Sequence, residues 1–281
     1  MGFRLATNLG GRAVLVVDDG VIDLETATSG AFDADPMHAL ARADELRGVA
    51  DRLAGHAPEV AFDPARLGPC VPRPVQVFGV GLNYRSHAAE SGMALPTVPM
   101  IFTKFQSSLG GPNAAIPIVS GAVDWEVELV VVIGRGGRDI PAEHGWAHVA
   151  GVTVGQDVSD RGVQFATNPP QFSMGKSFRN FAPIGPAVVS LDLLDDPDDL
   201  ALTCDVDGRR EQDDRTSGLI FDVPALVAYL SSVCELLPGD LIFTGTPAGV
   251  GVAKGRFLEV GQTVVSTIEG VGTLTNTCAK P

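Results

Sequence analysis

The chain predicts an α+β fold dominated by β-strands. From Gln76 onward, short Val- and Ile-rich runs alternate with Gly and Pro, and the 281 residues include 33 Gly and 20 Pro. Clear helical stripes are few, which argues against repeated strand-helix-strand units and for a strand-and-turn architecture. With 45% hydrophobic residues the chain can bury a substantial core, as one large domain or a large domain with a small partner.

In chain order, strands are expected at Arg4 to Thr7, Ala13 to Val17 and Val21 to Leu24, the last two joined by the turn Asp18-Asp19-Gly20. A helix over Met37 to Leu53 follows, with Leu40, Ala43, Leu46, Val49, Ala50 and Leu53 at helical spacing. The Pro-containing stretch Pro58 to Pro74 reads as a connection, so residues 1–72 form a small N-terminal β/α module and residues 73–281 the main domain. Two further helices are expected, at Ala142 to His148 and at Pro224 to Leu236, the latter with Pro in its first turn.

Charge and cysteine usage exclude several classes. The 34 acidic residues outnumber the 20 basic ones, for a formal net charge of -14, and no Lys/Arg cluster occurs, so neither nucleic acid nor an anionic membrane is an expected partner. Cys70, Cys204, Cys234 and Cys278 stand far apart without a Cys-x-x-Cys pair, which indicates neither a disulfide framework nor a thiolate zinc site. No apolar run approaches the roughly 20 residues needed to span a bilayer, and the start lacks a signal-like apolar region. The expectation is a cytoplasmic protein with reduced thiols.

The run Asp124-Trp125-Glu126-Val127-Glu128-Leu129-Val130-Val131-Val132-Ile133 carries the chemistry. In a strand, Glu126 and Glu128 project from one face beside Val130 and Val132, while Trp125, Val127, Leu129 and Val131 take the other. Two carboxylates on an apolar face require a proton, a basic side chain or a cation. An edge strand with one solvated face also carries Glu at alternate positions. The next strand-like run, Val149 to Gln156, ends at Asp157 and offers a third oxygen ligand from a separate strand. An oxygen-only set favours Mg²⁺, Mn²⁺ or Ca²⁺ over zinc.

Other motifs fail or remain open. Gly175-Lys176-Ser177 resembles the end of a P-loop, but Pro170 stands where its first glycine belongs, and Gly79-Val80-Gly81 lacks the third glycine of a dinucleotide fingerprint because Tyr84 takes its place. His144 and His148 have metalloprotease spacing, but Gly145 replaces the necessary Glu. His87 and Glu90, three apart on a short turn closed by Gly92, share one face, where the carboxylate would orient the imidazole as a general base on a lid. A surface His/Glu pair has the same spacing. Lys176 is read either as an exposed lysine or as a cation that stabilises carboxylate or enolate charge.

Taken in order, Gly81-Leu82-Asn83-Tyr84 with His87 and Glu90, Phe102 to Pro112 with Lys104, Asp124 to Glu128, Asp157 to Arg161, Gly175 to Phe178 with Pro183 to Pro186, and Thr244 to Gly251 resemble the fumarylacetoacetate hydrolase family. The likeness is to its acylpyruvate hydrolase and 2-hydroxyhepta-2,4-diene-1,7-dioate isomerase branch, and it runs from about Gln76 to the C-terminus. It implies a mixed β-sandwich or roll behind a small N-terminal module, and a homodimer. It implies Mg²⁺ or Mn²⁺, with Ca²⁺ as a substitute, on Glu126, Glu128 and Asp157; His87 and Glu90 on a lid; Lys176 in charge stabilisation; and Tyr84, Arg161, Gln164 and Thr246 on substrate oxygens.

The expected activity is hydrolysis of a carbon-carbon bond in a small anionic β-diketo acid, of acylpyruvate or fumarylpyruvate type, through a metal-held enolate. Isomerisation of dienoic 2-hydroxy acids and decarboxylation of oxaloacetate use the same apparatus, and a non-catalytic metal-binding protein is the reading from another class. One departure from the family is Arg179, where members usually carry Asp.

Overall fold

A computed structural model describes residues 2–281. Its main sheet has 11 strands, ordered Val60–Ala61, Gly20–Asp23, Ala13–Val17, Arg4–Thr7, Ala182–Val189, Val149–Gln156, Val127–Ile133, Leu241–Phe243, Val77–Gly81 and Met100–Thr103, with Leu109–Gly110 paired alongside Ala182–Val189. Most neighbours are antiparallel; Leu241–Phe243 runs parallel to Val77–Gly81, and Leu109–Gly110 runs parallel to Ala182–Val189. A second sheet of five strands runs Arg209–Arg215, Ala201–Val206, Thr263–Ile268, Gly272–Ala279 and Ile116–Pro117.

The β-dominated fold follows from where the apolar side chains go. Val127, Leu129 and Val131 point from one face of the main sheet into a core shared with Leu202, Val206, Val264 and Leu274 of the second sheet. Val130 and Val132, one residue out of phase, point the other way and pack with Leu24, Leu40, Leu46, Val49 and Leu53. The result is sheet on sheet on one side and helices on the other, with each fully buried Val or Leu contributing about 1.5–3 kcal/mol. The strand Val127–Ile133 is therefore interior, flanked by Val149–Gln156 and Leu241–Phe243, and the solvated-edge reading of Glu126 and Glu128 does not apply.

The N-terminal strands form as expected, and Val17 pairs with Gly20 across a turn in which Asp18 has φ 48°. They extend the main sheet through Leu5 opposite Val188, and their apolar residues share a core with residues beyond 127. Two helix expectations need correction. Met37 to Leu53 is two helices, Pro36–Ala41 and Ala43–Leu53. Arg42 leaves helical geometry between them, where its guanidinium donates to the Ala31 carbonyl and lies 4.0 Å from the Phe32 ring centroid. Ala142–His148 is a 3₁₀ segment in which Gly145 packs directly on Pro224. The helix Val223–Val233 forms with Asp222 capping Ala225 N–H and Pro224 in its first turn. No helix among the described residues is long and apolar enough to cross a membrane.

Candidate active site

Glu126, Glu128 and Asp157 are all buried, and one carboxylate oxygen from each lies within 4.8 Å of the others. Strand pairing produces this cluster: Val127 sits opposite Gln156, so Glu126, just before its strand, meets Asp157, just after its own. The Asp157 N–H donates to the Glu126 carbonyl at 2.9 Å, which fixes the junction.

Three buried cations surround the acids. Lys176 Nζ donates to Glu126 at 2.7 Å, to Ser159 Oγ at 2.9 Å and also to Asp157. Lys104 Nζ donates to the other Asp157 oxygen at 2.5 Å. Arg161 bridges Asp124 and Glu126 and donates to Gln164 Oε1 at 2.8 Å. Asp124, Glu126, Glu128 and Asp157 thus face three buried cations, and of these four acids Glu128 has no ion pair among the described residues; it accepts from Gly245 N–H at 2.8 Å.

Charge and burial set the protonation. Burial, then Asp157 and Glu126, push the Glu128 carboxyl well above the usual carboxylate range. Burial acts the same way on Glu126, but Lys176 and Arg161 outweigh it and hold that group low. The Lys176 ammonium is held high because Asp157 and Glu126 overcome its desolvation, whereas burial and Lys176 lower Lys104 despite Asp157. An all-oxygen set with one carboxylate lacking a counter-charge fits a hard divalent cation, so the donor chemistry agrees with Mg²⁺ or Mn²⁺.

Above the acids is a cavity of about 340 Å³, lined by Glu126, Glu128, Asp157, Lys176, Arg161 and Gln164 at its polar end. His87 and Thr246 line it too. His87 lies on the helix Arg85–Glu90, which Gly92 closes at φ 65°, with its Nδ1 3.4 Å from Glu90. Thr246 is held by donating to the Val127 carbonyl and accepting from Gln212. The strand Val77–Gly81 leads into this region through Leu82, at φ 55°, and Asn83, which makes hydrogen bonds to both Phe221 backbone groups and to the Thr244 carbonyl.

Most sequence-derived candidates meet here. Lys176 is 2% exposed, which removes the surface-lysine reading. Tyr84 differs from the rest: it bridges to Leu219, its ring is buried in the core and is not part of the cavity lining, and its hydroxyl has no hydrogen-bond partner among the described residues. Arg179, the departure from the family pattern, is exposed and off the cavity wall.

Sequence reading gave no role to Lys104 or Asp124. Asp124 accepts from Gly251 and Val252 N–H as well as from Arg161, tying the C-terminal loop to the acid cluster. A lone lysine between Phe102-Thr103 and Phe105 was the available signal for Lys104.

Comparison with known proteins agrees with this geometry. The family model described as fumarylacetoacetate (FAA) hydrolase C-terminal matches residues 76–279. A Burkholderia ambifaria protein provisionally named a hydrolase is 44% identical over 246 residues, 83% of this chain and 87% of that one. A Mycobacterium smegmatis protein provisionally named HpcE superposes with a TM-score of 0.92 at 48% identity, covering 99% of both chains. The maleylpyruvate hydrolase of Sphingobium sp. SYK-6, in complex with manganese(II) and pyruvate, superposes with a TM-score of 0.82 at 28% identity over 99% of each chain. With the family model spanning most of the chain and the acid cluster, the cavity and the helix of His87 all inside it, this chain belongs to the fumarylacetoacetate hydrolase family.

Proposed function

We propose that this protein is a divalent-metal-dependent hydrolase that cleaves a carbon-carbon bond in a β-diketo acid of acylpyruvate type. The observation that carries this reading is the buried Glu126–Glu128–Asp157 cluster opening on the same cavity as His87. Those three carboxylates would hold Mg²⁺ or Mn²⁺, which when bound supplies positive charge for adjacent oxo and carboxylate oxygens of a substrate.

The remaining steps belong to the chain's own side chains. Glu90 holds the His87 ring, and His87 removes a proton from water as that water adds to the distal carbonyl. The carbon-carbon bond then breaks, its electron pair passing to the pyruvate portion as an enolate, which takes up a proton to become pyruvate. The acyl portion leaves as a carboxylic acid. Lys176 and Arg161, buried at the polar end, place fixed positive charge where the enolate develops, and the enclosure strengthens that effect.

The test is a Mg²⁺- or Mn²⁺-dependent assay on acetylpyruvate, fumarylpyruvate and oxaloacetate, with product identification and a chelated control. Pyruvate plus a second acid supports the hydrolase. Carbon dioxide from oxaloacetate alone replaces it with a decarboxylase, and inactivity on all three replaces it with an isomerase or a non-catalytic metal-binding protein.

A further inference from the structure

The cavity is chemically two-sided. Opposite the acids and cations, its wall is Val80, Leu82, Met93, Met100, Phe102 and Phe172, with Phe165 at the rim. This wall is written into strand pairing: Gly79 sits opposite Phe102 and Gly81 opposite Met100 on adjacent antiparallel strands. A Cβ at Gly79 would collide with the Phe102 ring, and one at Gly81 with the end of Met100, so the two glycines let both side chains lie flat across the strand.

The aromatic surface then climbs outward. Phe102 meets Phe172 edge to face at 6.0 Å between centroids, and Phe172 meets Phe165 likewise at 6.2 Å. At the inner end Lys176 Nζ lies 4.8 Å from the Phe102 centroid, marking where the charged floor gives way to the wall. At the outer end Met93, Met100 and Phe165 are 56%, 41% and 53% exposed, apolar surface left open beside the cavity.

Cations on the lining are confined to the floor. Among the described residues it carries Arg161 and Lys176, both already paired with carboxylates, and no other lysine or arginine. A second substrate carboxylate at the far end would therefore meet Phe and Met side chains and find no lysine or arginine to pair with.

We infer that the Gly79/Phe102–Gly81/Met100 wall with Phe172 and Phe165 is a subsite for an apolar acyl group, making the substrate class acylpyruvates with an aliphatic or aryl tail rather than dicarboxylates. This rests on the hydrolase reading for the reaction, but the apolar binding it describes does not depend on turnover.

The experiment has two arms. Calorimetric titration of the Mg²⁺-loaded protein with 2-oxo monocarboxylic acids of increasing chain length should show affinity rising by up to about fourfold per buried methylene, with 2-oxoadipate bound more weakly than 2-oxohexanoate. In parallel, kcat/KM is compared for acetylpyruvate, hexanoylpyruvate, benzoylpyruvate and fumarylpyruvate; the apolar pair should exceed fumarylpyruvate by at least tenfold. Met100→Arg and Phe165→Arg, at exposed positions and checked for folding by thermal melt, should shift that ratio toward fumarylpyruvate.

Equal or better use of fumarylpyruvate by the parent, or affinity without chain-length dependence, including no binding at all, overturns the subsite. Graded apolar binding without turnover of any β-diketo acid leaves the subsite standing and removes the hydrolase reading.

Discussion

The Gly249 N–H donates to both carboxylate oxygens of Glu90, at 2.9 and 3.1 Å. The acid that faces His87 is thereby anchored to the same loop whose Gly245 N–H holds Glu128. This loop sets the His87 helix and the acid cluster in one frame. Glu90→Gln keeps an acceptor for Gly249 but removes the charge beside the imidazole, so kcat should fall between about tenfold and a hundredfold with KM little changed. Steady-state kinetics on the preferred acylpyruvate decide it; an unchanged kcat would show that Glu90 only fastens the helix.

His87→Ala should remove the water-activating base, at a cost of roughly 10²–10⁴ in kcat. His87 contributes no carboxylate to the acid cluster, so Mg²⁺ affinity by calorimetry should fall far less than kcat. Parental turnover by this variant would dismiss the proposed base.

Glu128 links metal binding to pH. Its carboxyl is raised in the folded protein, so in the metal-free state its contribution to stability is full below the unfolded carboxylate value and is lost as pH rises through the folded value. A divalent cation binds the ionised form and displaces the proton. The thermal stabilisation produced by Mg²⁺ should therefore grow with pH, and Glu128→Gln should abolish it while melting no lower than metal-free parent at pH 8. A Mg²⁺ increment independent of pH would contradict this.

Lys104 is held wholly inside, with its ammonium on Asp157 and 5.8 Å from the Phe243 centroid. Lys104→Met keeps much of the apolar stem but leaves Asp157 with Lys176 as its remaining ion-pair partner, which should destabilise by about 3–5 kcal/mol as for other broken buried pairs. Urea unfolding of metal-free protein measures the loss. Saturating Mg²⁺ should restore part of it, because the cation answers the same carboxylate; a loss unaffected by Mg²⁺ would place the Lys104 contribution elsewhere.

By itself the sequence determined the β-dominated class, the opposite-facing alternation through Trp125 to Val132, the His87–Glu90 turn and the three acids that meet in the buried cluster. These are short-range properties: strand period, turn chemistry and carboxylates in apolar runs are written within a few residues of one another. Only the tertiary structure decided that Val127–Ile133 is an interior strand, that Lys104 and Asp124 belong to the charge network, and that Tyr84 is withdrawn into the core. It also decided that Gly79 and Gly81 lie under Phe102 and Met100 to make one wall of the cavity. Each of these depends on which strands pair and in what register, and pairing is fixed by burial of both faces of the sheet at once, a condition that no local stretch of sequence carries.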